Sequence, residues 1–409
     1  MTDISQTGPE ERYGALDAVR AGALMLGVAL HATMAYTDPP FWIVQDAQRD
    51  NGFWIGFFVI HIFRMSLFFM LAGFFARLVF HKYGLKGFVA NRAKRIALPL
   101  VIFWLPVIAA IITLAVMTAM KAAAAGVVLG PPPPPPTLET FPLTHLWFLY
   151  ILLLLYVGML ALRGMVALID RGGALRDGMG KLLGWGVKTG VAIPVLALPL
   201  VLVTAQTTDW MRWIGIPTPD TGFVPNLMAL TGFGVAFAFG WGLHRRADLL
   251  ATLASQWMLN LLAAVIFTTC CLWDMDATAS FDKVAGRDHL LYAISYSLAI
   301  WTWSFGLIGL AVKTLSKPSQ VWRYLSDSSY WVYIVHLPLV LWFQYLLMDQ
   351  AWPAVAKFAV VVAGTLIIGW VSYRFGVRYT IIGTLLNGRK RAPHKLKQGD
   401  VHAANSVEP

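Results

Sequence analysis

About ten times along this chain a run of roughly 18 or more residues passes with almost no charge. Hydrocarbon offers no water to satisfy a backbone N–H or C=O, so only helices or a closed barrel can cross it, and runs of this length fit helices. The expected spans lie near residues 16–36, 53–80, 97–118, 146–169, 190–206, 225–243, 252–273, 288–312, 325–348 and 355–374. Composition agrees: 58% of the 409 residues are hydrophobic and 13% are charged, against about 25% charged in soluble domains. The fold class is therefore all-α, a polytopic integral membrane helical bundle of about ten transmembrane helices. Residues 1–375 would form that ten-span domain and 376–409 a basic cytoplasmic tail.

Lys and Arg give the orientation. One set of loops and ends carries 23 of them, from Arg12 through Lys82, Arg95, Arg176, Arg246 and Lys317 to Lys397; the other set carries 5, Arg49, Lys121, Arg212, Lys283 and Arg287. Basic loops stay in the cytoplasm, so both termini are expected there, as an even span count requires. The net charge of +11 then speaks for the lipid bilayer as partner and against nucleic acid. The N-terminal residues up to Glu11 are polar and acidic, unlike a cleaved signal peptide. Cys270 and Cys271 are adjacent, which suits packing rather than a disulfide framework or a metal site.

The loops on the far side differ in character. Six prolines, Pro131 to Pro136, favour a stiff polyproline II spacer. Trp210, Trp213 and Trp273 lie in loops rich in Gly, Pro and Asp, where sugar stacking and an interfacial aromatic belt are both open readings.

Charged and imidazole groups inside spans are costly and by default mark a bundle interior or a wet cavity. The first span, LDAVRAGALMLGVALHATMAY, carries Arg20 and His31 eleven residues apart. That spacing is three turns plus about 20°, so both leave one helix face, about 16 Å apart along the axis, where they would line one passage. In the second span His61 and Arg64 are three apart, with Arg64 near the bilayer midplane and few acids in the spans to pair with it. Arg92 and Arg95, in NRAKRIALP, are also three apart, a spacing that suits phosphate oxygens. His145 opens the fourth span. His336 lies in SSYWVYIVHLPLVLW, one helical turn after Tyr333. No two of these histidines have zinc-site spacing, so no metal is expected. Ala72, Gly73 and the phenylalanines around them suit close helix packing. A secondary transporter is the competing reading, since ten spans with midplane charges also describe carriers; no internal repeat supports it, although Pro194 and Pro199 interrupt the fifth span.

Taken in order, RYGALDAVRAGALMLGVALH with Arg12, Asp17, Arg20 and His31, then FFMLAGF, NRAKRIALP, HLWFL and SSYWVYIVHLPL, the chain resembles the membrane-bound acyltransferase-3 family. HLWFLYILLLLY and the ten-span length without an appended hydrolase-like domain look most like the branch that succinylates osmoregulated periplasmic glucans. One residue departs from the pattern, Ala72 standing where many relatives have Ser, and the proline run is not assigned to the branch by the resemblance.

The resemblance implies an acyltransferase of the bacterial inner membrane. It would use cytosolic acyl-CoA, succinyl-CoA in this branch, as cosubstrate with no permanently bound cofactor, and a periplasmic carbohydrate as acceptor. An O-acetyltransferase for another cell-surface polysaccharide or lipid-linked sugar is the alternative. Arg20 and His31 carry over as the family's essential pair. Arg92 and Arg95 are then expected at the CoA phosphates. The residues themselves suggest Arg64 as clamp for a succinyl carboxylate, and His61, His145, Tyr333 and His336 on the acceptor side. His31 would serve as general base or carry a transient acyl group.

Overall fold

In the computed structural model, residues 9–128, 131, 134–317 and 319–388 are described, the side chains of 9–13 excepted. The helices follow the apolar runs: α1 (Pro9–Thr33), α2 (Asn51–Arg92), α3 (Leu98–Ala124), α4 (Trp147–Ile169), α5 (Ala174–Thr189), α6 (Ala192–Gln206), α7 (Leu227–Arg245), α8 (Leu249–Asp274), α9 (Leu290–Thr314), α10 (Gln320–Leu347), α11 (Ala354–Ser372) and α12 (Ile381–Asn387). Strand among the described residues is confined to β1 (Trp210–Met211) and β2 (Lys283–Val284), which pair antiparallel. Eight helical stretches among the described residues are long and apolar enough to cross a membrane, or nine with α5 and α6 taken as one bent span. One of the eight, Asn51–Ala124, runs for 74 residues and holds two of the expected spans. It turns at Gly84, whose φ of 66° only glycine adopts without strain.

The fifth expected span is only half right. α6 has 15 residues, too few to cross alone at about 20 residues per span. The segment before it, expected as a basic loop, is instead the helix α5, which meets α6 at 101°. The break falls at Gly190 (φ 82°) and not at Pro194 or Pro199. Residues 376–388, expected to begin the tail, pack on the bundle: Asn387 Nδ2 donates to the Asp327 carbonyl at 2.7 Å. Residues 389–409 of that tail, residues 1–8, and Pro132 and Pro133 of the proline run lie outside the described residues.

α2 and α7 cross in near backbone contact. A Cβ on Gly73 would lie 2.0 Å from the Phe237 carbonyl oxygen, and one on Gly240 would lie 1.8 Å from that of Met70. Small residues at both crossing points allow this approach, which in lipid replaces the hydrophobic drive with van der Waals packing. α1 and α10 run parallel, since Arg20 bonds Ser326 and, further along both helices, the His31 ring meets His336. α1 and α2 are antiparallel, with Arg20 over Phe75 and Gly27 beside Arg64.

Loops near residues 37–50, 207–226 and 275–289 fold into a cap over one end of the bundle. Trp210 and Trp213 are buried in it, their indole N–H groups donating to the carbonyls of Gly215 (2.7 Å) and Thr278 (2.8 Å). These two are core residues and form neither an interfacial belt nor a sugar platform; Trp273, 84% exposed, stays available for either. Cys271 is buried and Cys270 faces outward, both as free thiols, so only Cys271 packs as expected. Lys357 of α11, 0% exposed, donates to both carboxylate oxygens of buried Asp46 at 2.9 and 2.7 Å, tying the 37–50 strap to the bundle.

Two stability tests follow from this packing. Gly240→Ala is expected to lower the midpoint of thermal unfolding in detergent, whereas Gly158→Ala, where a Cβ meets nothing within 4 Å, is expected to leave it unchanged. Lys357→Met strands a buried carboxylate and should cost about 3–5 kcal/mol; the double variant with Asp46→Leu should recover most of that in the same measurement.

Candidate active site

The proline of HLPL sets the local geometry. Pro338 lies inside α10 and has no N–H to return to the Ile334 carbonyl four residues earlier. His145 Nε2 takes that carbonyl at 3.1 Å. His145 itself sits in a short 3-10 turn ahead of α4, beside Thr144, whose φ of 53° is strained for a β-branched residue. The Tyr333 hydroxyl donates to the His145 carbonyl at 2.7 Å, and His336 Nδ1 donates to the Tyr333 carbonyl at 2.7 Å. Two imidazoles are thereby locked against one stretch of α10.

The third belongs to α1. The His31 ring lies 5.2 Å from the His336 ring, and His336 lies 4.9 Å from His145. On its other side His31 stacks on Trp42 at 5.8 Å. Gln344 joins these pieces: its Nε2 donates to the His31 carbonyl at 3.0 Å and its Oε1 accepts from Trp42 Nε1 at 3.1 Å. His31, His145, His336, Tyr333, Arg64 and Gly27 share the lining of a cavity of about 30 Å³. Gly27 is where α1 makes room for Arg64, since a Cβ there would lie 2.7 Å from Arg64 Nη1.

Around this cavity several polar atoms are buried without a hydrogen-bond partner: His31 Nδ1, His145 Nδ1, His336 Nε2 and Arg64 Nε. Each such atom ordinarily costs about 1–3 kcal/mol, so their convergence points to a polar substrate. No ion pair among the described residues includes Arg64. His61 stacks on Phe57 at 5.1 Å and does not line the cavity. Nor does any group of three or more His, Cys, Asp or Glu among the described residues suit a metal ion.

Arg20 and His31 both face α10, as the eleven-residue spacing predicts, but they do not share a cavity. Arg20 is paired with Asp17 at 2.9 Å and donates to Ser326 Oγ at 2.7 Å. The second cavity, about 360 Å³, lies toward the basic end and is lined by Asn91, Lys94, Arg95, Ile381, Thr384 and Leu385. Arg92 is not among them. It donates to the Tyr156 hydroxyl at 3.2 Å and lies 5.5 Å over both the Phe88 and Tyr156 rings. The reason is the π-helical turn Ala93–Ala97, which widens the helix and moves residues three apart off a common face. Arg12, the first residue of the family pattern, has a side chain outside the described residues. Sequence reasoning missed Trp42, Gln344, Gly27 and the Asp46–Lys357 pair. Of these only Gly27, four residues before His31 on the same face, left a readable signal.

Residues 13–374, which include every residue lining the imidazole cavity, match the acyltransferase domain model of the acyltransferase-3 family. Glucans biosynthesis protein C of Escherichia coli strain SMS-3-5 / SECEC is 34% identical over 94 residues, 22% of this chain and 24% of that protein. Its counterpart in strain K12 is 33% identical over the same length. The likeness thus spans about a quarter of these relatives. No solved structure matches this chain. With a match over nearly its whole length, the chain belongs to the acyltransferase-3 family of membrane acyltransferases.

Proposed function

We propose that this protein moves a succinyl group from cytosolic succinyl-CoA to a hydroxyl of a periplasmic glucan. The observation that carries the reading is the cavity where His31, His145 and His336 meet Arg64 inside a membrane-spanning bundle. Ten spans with both termini in the cytoplasm go with it; the parallel course of α1 and α10 supports this, since first and ninth crossings must run alike.

Arg95, with Lys94 and Asn91 in the larger cavity, is the proposed holder of the CoA phosphates, because guanidinium and ammonium groups there are free to meet phosphate oxygens. Arg92, stacked between aromatic rings, supports that corner without lining it. Arg20, held by Asp17 and Ser326 on the face of α1 that also carries His31, is the proposed guide for the donor arm. His31 takes the proton of the acceptor hydroxyl as its oxygen forms the new bond to the acyl carbon. The carbon–sulfur bond breaks, and the departing coenzyme sulfur receives that proton from His31. Imidazole suits the task because it exchanges protons near neutral pH. Arg64 holds the free carboxylate of the succinyl group, which gives a buried guanidinium without a carboxylate partner its counter-ion.

Purified protein in nanodiscs, given isotope-labelled succinyl-CoA and a β-glucan oligosaccharide, is expected to yield labelled glucan; free labelled succinate as the product at every glucan concentration would contradict the reading. His31→Ala should lower kcat by about 10²–10⁴ while the protein still inserts and unfolds at the usual temperature. Arg64→Met should reduce kcat/KM for succinyl-CoA about ten- to a hundredfold and leave acetyl-CoA use little changed, which a side-by-side donor assay checks.

A further inference from the structure

Backbone carbonyls accept hydrogen bonds and never donate them, so the two bonds made by His145 and His336 reveal where their protons are. His336 Nδ1 faces the Tyr333 carbonyl at 2.7 Å and must carry the hydrogen, which leaves Nε2 as a bare lone pair. His145 Nε2 faces the Ile334 carbonyl at 3.1 Å and must carry its own, which leaves Nδ1 bare. Both bare nitrogens are buried without a partner, on side chains that line the His31 cavity and are 4% and 7% exposed. Two hydrogen-bond acceptors thus stand side by side where no donor from the protein reaches them.

We infer that His336 Nε2 and His145 Nδ1 form a docking point for hydroxyl groups of a polyol, so that the acceptor presents to the site a hydroxyl next to the one that is acylated. This rests on the reading that His31 activates an acceptor hydroxyl. The chemistry of the cavity excludes charged occupants of the bare imidazoles. A metal ion lacks its ligand set among the described residues, and any cation is repelled by Arg64, which shares the lining. An anion is drawn to Arg64 but meets lone pairs at the two imidazoles. A neutral group that donates hydrogen bonds satisfies them, and a sugar hydroxyl is that group. About 30 Å³ is room for one or two waters, so the acceptor enters by a hydroxyl-bearing edge and its ring stays outside. The site divides its work: Arg64 addresses the charge on the acyl group, and the imidazole pair addresses the acceptor.

The test is nitrogen NMR on nanodisc-embedded protein with labelled histidine rings, assigned through His145→Asn and His336→Asn. In the free protein His336 Nε2 and His145 Nδ1 are expected at the position of unprotonated ring nitrogens. Both should move on addition of a β-linked glucose oligosaccharide, with no comparable change on 1-propanol at equal hydroxyl concentration. Either nitrogen found protonated in the free protein, neither moving at saturating oligosaccharide, or an equal response to 1-propanol would overturn the inference. In kinetics, His336→Phe should raise acceptor KM at least tenfold with donor KM unchanged, and His336→Asn, which keeps an acceptor atom, should recover part of the loss; a donor KM that rises in step with the acceptor KM contradicts the role. If the nitrogens respond as expected but His31→Ala still transfers at the normal rate, the hydroxyl site stands and the base assigned to it falls.

Discussion

A proline inside a membrane-crossing helix leaves a carbonyl that lipid cannot satisfy, and here the side chains of the site answer that demand. Pro338 frees the Ile334 carbonyl, and His145 takes it. Pro99 likewise has no N–H to return to Arg95, and the Tyr330 hydroxyl binds the Arg95 carbonyl at 2.7 Å. The same bonds that keep the backbone satisfied in hydrocarbon fix an imidazole at one cavity and anchor the basic turn at the other. Removing either residue disturbs fold and site together.

α10 is consequently the spine of the molecule. Ser326 meets Arg20, Tyr330 meets the Arg95 carbonyl, Tyr333 and Ile334 hold His145, and Gln344 holds the carbonyl of His31. Every candidate cation or imidazole except Arg64, Arg92, Lys94 and His61 is tied to this one helix directly. Trp42 joins through Gln344, and the buried Asp46–Lys357 pair pins the strap that carries it. In this way the cap end and the basic end of the bundle share one rigid element.

Much of this was legible in the chain itself. The apolar runs placed the helices because hydrocarbon admits little else, and the spacing of Arg20 and His31 put both on the face that meets α10. Buried imidazoles were visible as misplaced polar groups. What pattern reasoning could not reach were bonds between distant segments: Gln344 with His31 and Lys357 with Asp46 are each more than 300 residues apart. The π-helical turn after Arg92 also defeats a constant helical period, which is why Arg92 and Arg95 part company. α5 was hidden by its charge, for Arg176, Lys181 and Lys188 read as a loop, although Leu175, Met179, Leu182 and Trp185 line one exposed apolar face of the helix.

The proposed function requires the acyl group and the acceptor to meet at the imidazole cavity, with the coenzyme held at the basic end. A cryo-EM structure of the protein with a non-hydrolysable thioether analogue of succinyl-CoA tests this most directly. Phosphate density is expected against Arg95 and Lys94, and the acyl end beside His31 with its carboxylate on Arg64. An acyl end lodged away from His31, or a coenzyme bound at the cap end, would contradict it.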